Sequence, residues 1–236
     1  MSTVNVTSSE TDCLLTSVPD YRAMGYHLFA GPLAMYFAGE RPNAPEQPPF
    51  DRQQLLDAVS LWQTNVASQI PGKVDWQEGY GRPSLFAEIG LDPFGALMLK
   101  LSCFVTGEAM PSKVPCGWRV FDDDIINRAM SAEGAVPSFL IADMFIPSRE
   151  VGATRCVGPA GSEITLSTTG TLRHDLAAIN SAIWKASDEE ISSWSEDPPA
   201  SQGEMDTEQA ARFAFALFCR ILFAAERYVV PITVGH

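Results

Sequence analysis

A mainly α protein is what this sequence predicts: a single helical domain around a buried C-terminal helix, with at most a small β-hairpin. Three observations carry that expectation. Residues 206–230, DTEQAARFAFALFCRILFAAERYVV, are apolar around most of a helical circumference. Residues 51–70 and 92–107 repeat apolar side chains at the 3.6-residue period behind recognisable caps. The stretches between such segments are rich in proline, which suits connections rather than strands.

The C-terminal helix has both ends written into it. Asp206 is placed to cap the first amides, Gln209 stands three residues on, where a capping box needs it, and Pro231 stops the run. At about 100° per residue, Glu208, Gln209, Arg212, Cys219, Arg220, Glu226 and Arg227 share roughly a third of the circumference. Phe213, Phe215, Leu217, Phe218, Ile221, Leu222, Tyr228 and Val229 take the rest, so other elements must surround this helix.

Taken in order, residues 1–18 are Ser/Thr-rich and aperiodic and read as an extended arm, with the helical domain at 19–236. Residues 20–37 read as two short helices broken by Gly31-Pro32. Prolines at 42, 45, 48 and 49 make 40–49 a stiff strap. Asp51 and Gln54 box the next helix, Phe50 can staple on Leu55, and Leu55, Val59, Trp62, Val66 and Ile70 form its stripe up to Pro71-Gly72. A loop at 72–83 follows.

Asp92-Pro93 then opens a helix carrying Phe94, Leu97, Met98, Leu101, Phe104 and Val105, which stops at Gly107 and is expected against the C-terminal helix. Residues 107–119 are irregular, and 122–130 read as a short helix with Ile125, Ile126, Ala129 and Met130 inward. Residues 138–146 fit a strand by length and a helix by composition. The best β candidate is 151–168, turning at Gly158-Pro159-Ala160-Gly161. A helical period returns at Leu172, Leu176, Ile179 and Ile183, and Ser187 with Glu190 caps a segment presenting Ile191 and Trp194. A second proline-rich connection spans 195–203.

Charge limits the function. Twenty-nine acids against 16 bases give −13, which argues against a protein whose main task is gripping phosphates and suits a basic partner. Only Lys73, Lys100, Lys113 and Lys185 among the bases are lysine; the arginine excess fits either interfacial ion pairs or plain compositional bias. Cys13, Cys103, Cys116, Cys156 and Cys219 show no pairing pattern and read as free thiols of a reducing compartment, the cytoplasm, or a virion for a coat subunit. The N-terminus lacks the basic and apolar regions of a signal peptide, and Arg212 and Arg220 interrupt the most apolar helix, so no membrane partner is expected.

Candidate sites each have a plain structural reading beside the functional one. Cys116, in a loop, is a nucleophile only if His27 or His174 comes near it. His174-Asp175 offers a base or simply a polar helix start. Asp122, Asp123 and Asp124 supply oxygen ligands for a hard cation, yet acids in a first helical turn are favoured by the dipole and the run lacks calcium-loop spacing. Trp76, Tyr80, Phe86 and the 40–49 strap fit a protein-binding surface or core. Arg212, Arg220 and Arg227 are the chosen binding candidates, for phosphates or an acidic partner; the alternative is intramolecular pairing such as Glu208 with Arg212 at i, i+4.

No chemistry-specific motif is present, so no metal or cofactor is expected. The leading expectation is a non-enzymatic, self-assembling subunit such as a viral or phage coat component. Its partners are other copies or another protein, and nucleic acid only through the arginine stripe. The alternatives are an acidic protein neutralising a basic partner, as a toxin inhibitor does, and a Cys/His enzyme.

Overall fold

The computed structural model describes residues 26–40, 51–70, 76–131 and 137–235. The expected arm at 1–18, Phe50 and all of the strap beyond Glu40 lie outside the described residues.

Among the described residues, eight strands and seven α-helices follow one another: β1 His27–Ala30, α1 Leu33–Phe37, α2 Arg52–Ala67, β2 Leu85–Glu88, α3 Leu91–Thr106, β3 Lys113–Pro115, α4 Asp124–Ser131, β4 Met144–Ile146, β5 Ala153–Val157, β6 Glu163–Thr168, α5 Thr169–Ile179, α6 Asp188–Trp194, β7 Glu204–Asp206, α7 Thr207–Tyr228 and β8 Ile232–Gly235. Six of the strands form one mixed sheet in the order β2-β1-β8-β4-β6-β5, in which β4 and β6 run parallel; β3 and β7 form a separate antiparallel pair.

The expectation of a mainly α domain is therefore corrected to a mixed α/β fold, with 50% helix and 17% strand. The expected hairpin exists as β5 and β6, but it is the edge of a sheet whose other strands lie far away in sequence.

The physical reason lies in the middle of that sheet. β1 and β8 are antiparallel neighbours with Leu28 opposite Val234 and Ala30 opposite Ile232. Those four side chains enter the larger core, while His27, Phe29 and Thr233 are buried on the opposite face. A strand buried on both faces shows no polar alternation, so its sequence carries little period of two. Of the first of the two short helices expected at 20–37, residues 20–25 lie outside the described residues and the end is the strand β1; the second is α1, on the far side of Gly31-Pro32.

The larger core sits between one sheet face and α3, α5 and α7. Phe94, Leu97, Leu172, Leu176, Phe215, Phe218 and Ile221 pack there with Leu28, Phe145 and Ile232. Tyr26 stacks on Phe94 with centroids 3.7 Å apart, and Phe139 meets Phe218 edge-on at 4.9 Å. A second core joins α2 to the other face through Leu33, Val59, Trp62, Val66, Met144, Ile146 and Leu166. The expected stripe of α2 is thus its inward side, and Asp51 caps it by accepting from the Gln53 and Gln54 amides.

Residues 138–146 resolve as a 3₁₀ turn, Ser138–Leu140, followed by β4. In α4, Ile126 and Ala129 are buried whereas Met130 is exposed, against expectation.

α7 is surrounded over most of its apolar arc, but Tyr228 and Val229, expected inside, are exposed. Asp206 caps it through the Gln209 amide at 2.8 Å, but the Gln209 side chain turns to Asp197 rather than back to the cap. The helix ends on Val229 in the left-handed region, φ 51°, whose backbone then leads through Pro231 into β8.

Candidate functional site

An exposed acidic surface is built by α6 and the start of α7. Ser187 and Glu190 form a reciprocal capping box, Ser187 Oγ accepting from the Glu190 amide at 3.2 Å and Glu190 Oε2 from the Ser187 amide at 2.8 Å. With the helix so started, Ile191 turns inward while Asp188 and Glu189 face solvent. The helical turn continues beyond Trp194, since the Glu196 amide still reaches the Ser193 carbonyl.

Residues 186–211 contain Asp188, Glu189, Glu190, Glu196, Asp197, Glu204, Asp206 and Glu208 and no lysine, arginine or histidine. Two adjoining hollows open on this side. One, about 420 Å³, is lined by Asp188, Glu189, Ser192, Ser193 and Glu196. The other, about 470 Å³, is lined by Ser193, Trp194, Asp197, Asp206, Glu208, Gln209 and Arg212.

Glu208 anchors the second hollow to the core. Its carboxylate accepts from Lys100 Nζ at 2.7 Å, Trp184 Nε1 at 2.7 Å and Arg212 Nε at 2.9 Å. Partial burial alone would raise its pKa, but hydrogen bonds from Lys100 and Trp184 and the charges of Lys100 and Arg212 outweigh burial and lower it. Arg212 also lies over the Trp194 ring, 5.2 Å from its centroid. Trp184 meets Trp194 edge-on at 5.6 Å and Phe215 at 4.8 Å.

At the other end of α6, burial and the Asp188 charge push the Cys219 thiol up to about 12. α6 therefore runs antiparallel to α7, with Trp194 by Arg212 and Asp188 near Cys219. Asp188, Glu189 and Glu196 form no ion pair with any described residue, so their charge faces outward.

The three arginine candidates separate. Arg212 makes the anticipated i, i+4 pair with Glu208 and belongs to the rim of the hollow. Arg220 and Arg227 are exposed further along α7, Arg227 over the Tyr228 ring at 5.7 Å, with Phe223 between them at 66% exposure.

The remaining candidates are dispersed. Cys116 gives its thiol proton to the Ala200 carbonyl, His27 is buried beside Tyr36 and Phe86, and His174 is exposed on α5. Asp123 accepts from the Ile125 and Ile126 amides and starts α4, while Asp122 pairs with Arg119. Trp76 is core; its indole donates to Glu78, whose carboxylate also takes the Leu33 and Ala34 amides at the start of α1. Tyr80 donates to the Arg52 carbonyl under the Arg52 guanidinium. Among the described residues no three His, Cys, Asp or Glu side chains converge as a metal set, and no helix is long and apolar enough to cross a membrane.

Sequence reasoning passed over the acidic surface itself. The signal was available as the run from 186 to 211 without a base, but it had been divided between a capped segment, a linker and a helix start. No protein-family model matches this chain, no curated protein matches its sequence, and no solved structure matches its fold.

Proposed function

We propose that this chain is a non-enzymatic binding protein whose acidic surface around α6 engages a basic partner. One observation carries the reading: Asp188, Glu189 and Glu196 are exposed around a hollow and are not neutralised by any described residue. Carboxylates left open on one side attract a cationic partner at range and speed its association, an effect that falls with salt. The mount is rigid, because the Trp184, Trp194 and Phe215 rings and the Glu208 pairs hold α6 on α7, so little ordering accompanies binding. An inhibitor that covers a basic toxin would work in this way.

The test is fluorescence anisotropy with a labelled arginine nonapeptide, and a glutamate nonapeptide as control. Expected are binding to the arginine peptide alone, weakening as NaCl rises, and about tenfold loss in Glu189→Ala/Glu196→Ala. Equal affinity in that variant would overturn the assignment of the surface. A second reading, a self-assembling subunit, is favoured by the exposed Arg220, Phe223 and Arg227 beside the acidic surface.

A further inference from the structure

The six-stranded sheet ends on β5, and among the described residues that edge is open. β5 is paired with β6 alone, Arg155 standing opposite Thr165. Thr165 gives its carbonyl to the Asp143 amide at 2.9 Å on its other side, so its backbone is turned away from β5. In an antiparallel pair, opposite residues either both direct their N–H and C=O groups at each other or both direct them away. Arg155 therefore points its amide and carbonyl outward, and by the alternation of a strand so do Ala153 and Val157. The Val157 carbonyl agrees, since it takes the Trp62 indole of α2 at 2.7 Å. Among the described residues, the outward groups of Ala153 and the Arg155 amide have no partner, and the Arg155 carbonyl has only the Thr154 hydroxyl at 3.5 Å.

The side chains of this edge are as open as its backbone. Cys156 packs on the second core beneath α2, so Thr154 and Cys156 share that face, and Ala153, Arg155 and Val157 share the other. On that other side Val157 is 62% exposed and Val151, just ahead of the strand, 58%, with Ala153 and Arg155 exposed between them. Arg155 forms no ion pair with any described residue. Sheet edges are commonly closed by proline, charge, a bulge or a covering element. β5 has no proline and a single charge.

We propose that β5 is a docking edge for an extended segment of another protein, which adds as a further antiparallel strand. That segment carries a carboxylate opposite Arg155, with apolar residues opposite Ala153 and Val157. Backbone pairing at Ala153 and Arg155 supplies the hydrogen bonds, and the alternate side chains beside Val151, Ala153, Arg155 and Val157 supply the selection. The Trp62 indole already holds the Val157 carbonyl, so the added ladder stops there and its register is limited. The unpaired Arg155 asks for a partner opposite in sign to the one that the α6 surface takes.

Fluorescence anisotropy with a labelled, end-capped heptapeptide, Val-Thr-Glu-Thr-Leu-Thr-Val, tests this. Laid antiparallel on β5, its Glu falls opposite Arg155 and its Leu opposite Ala153. One comparison peptide has Lys in place of Glu; another is N-methylated on the Glu and Leu amides, the donors that face β5. The wild type should bind both comparison peptides at least about tenfold more weakly than the first. Arg155→Glu should lose about tenfold for the Glu peptide and prefer the Lys peptide, a swap that a misfolded variant cannot produce. Ala153→Pro removes an outward amide while leaving the β5–β6 ladder whole, and should weaken the Glu peptide about tenfold. Far-UV circular dichroism confirms that it is folded, and its binding of the arginine nonapeptide, which reads the α6 surface, should be unchanged.

A wild type that does not bind the heptapeptide, N-methylation without effect, or equal affinity in Arg155→Glu would each overturn the proposal. A wild-type dimer in light scattering that Ala153→Pro abolishes would give the edge to a second copy of the chain and overturn it as well.

Discussion

Thr233 is the residue at which the core is least satisfied. It is 5% exposed, it lies opposite Phe29 and Met144 on the sheet face that α2 covers, and its hydroxyl has no hydrogen-bond partner among the described residues. A buried hydroxyl without a partner loses its hydration for nothing, so Thr233→Val, which keeps the branched shape a strand favours, should stabilise the protein by about 1 kcal/mol in urea unfolding. Glu208 is the opposite case. Its folded pKa is lowered, so its contribution is present above the ordinary carboxylate range and is lost as pH falls through the depressed folded value. Glu208→Gln should therefore lower the unfolding midpoint at pH 7, and the difference from wild type should shrink once the medium is acid enough to protonate the native side chain. At this scale the sequence was partly legible. The Arg212 pair follows from helical spacing, whereas Lys100 and Trp184 come from α3 and from the turn after α5, 108 and 24 residues away, and no local pattern points to them.

Among the elements, the helices were readable because their signals are local. The caps at Asp51, Ser187 and Asp206 and the inward stripes of α2 and α7 are properties of a few consecutive residues, and they survive in the fold. The strands were not readable for the converse reason. β1 and β8 are four residues each, buried on both faces, and exist by pairing with one another across most of the chain. The site suffered in the same way, since each piece of the acidic surface was read but not their meeting. The passage from α7 to β8 also stores strain. Val229 takes φ 51° and ψ 61°, a left-handed conformation that costs a β-branched residue about 1–2 kcal/mol, and it is half exposed. Val229→Asn, whose side chain tolerates that region, should raise the thermal midpoint, with a gain of about 1 kcal/mol. An unchanged or lower midpoint would mean that the Val229 side chain contributes packing worth as much as the strain.

For the whole molecule, a charge of −13 means that folding confines like charges, and Asp188 and Glu189 of α6 form no ion pair with any described residue. Adding NaCl at low ionic strength should raise the urea midpoint of the monomer while weakening capture of a cationic partner. The two responses have opposite signs, so they can be separated in one salt series. Sheet order has a different consequence, one for synthesis. Among the described strands, the β1–β2 pair and the β4–β6–β5 group are joined through β8, which inserts between β1 and β4. β1 thus leaves the ribosome roughly 200 residues before the strand that completes it. Until then two half-sheets wait with open inner edges, the condition in which nascent strands pair wrongly with neighbouring chains. Yield in the cell is then governed by how well chaperones shield those edges during translation as well as by the stability of the finished fold.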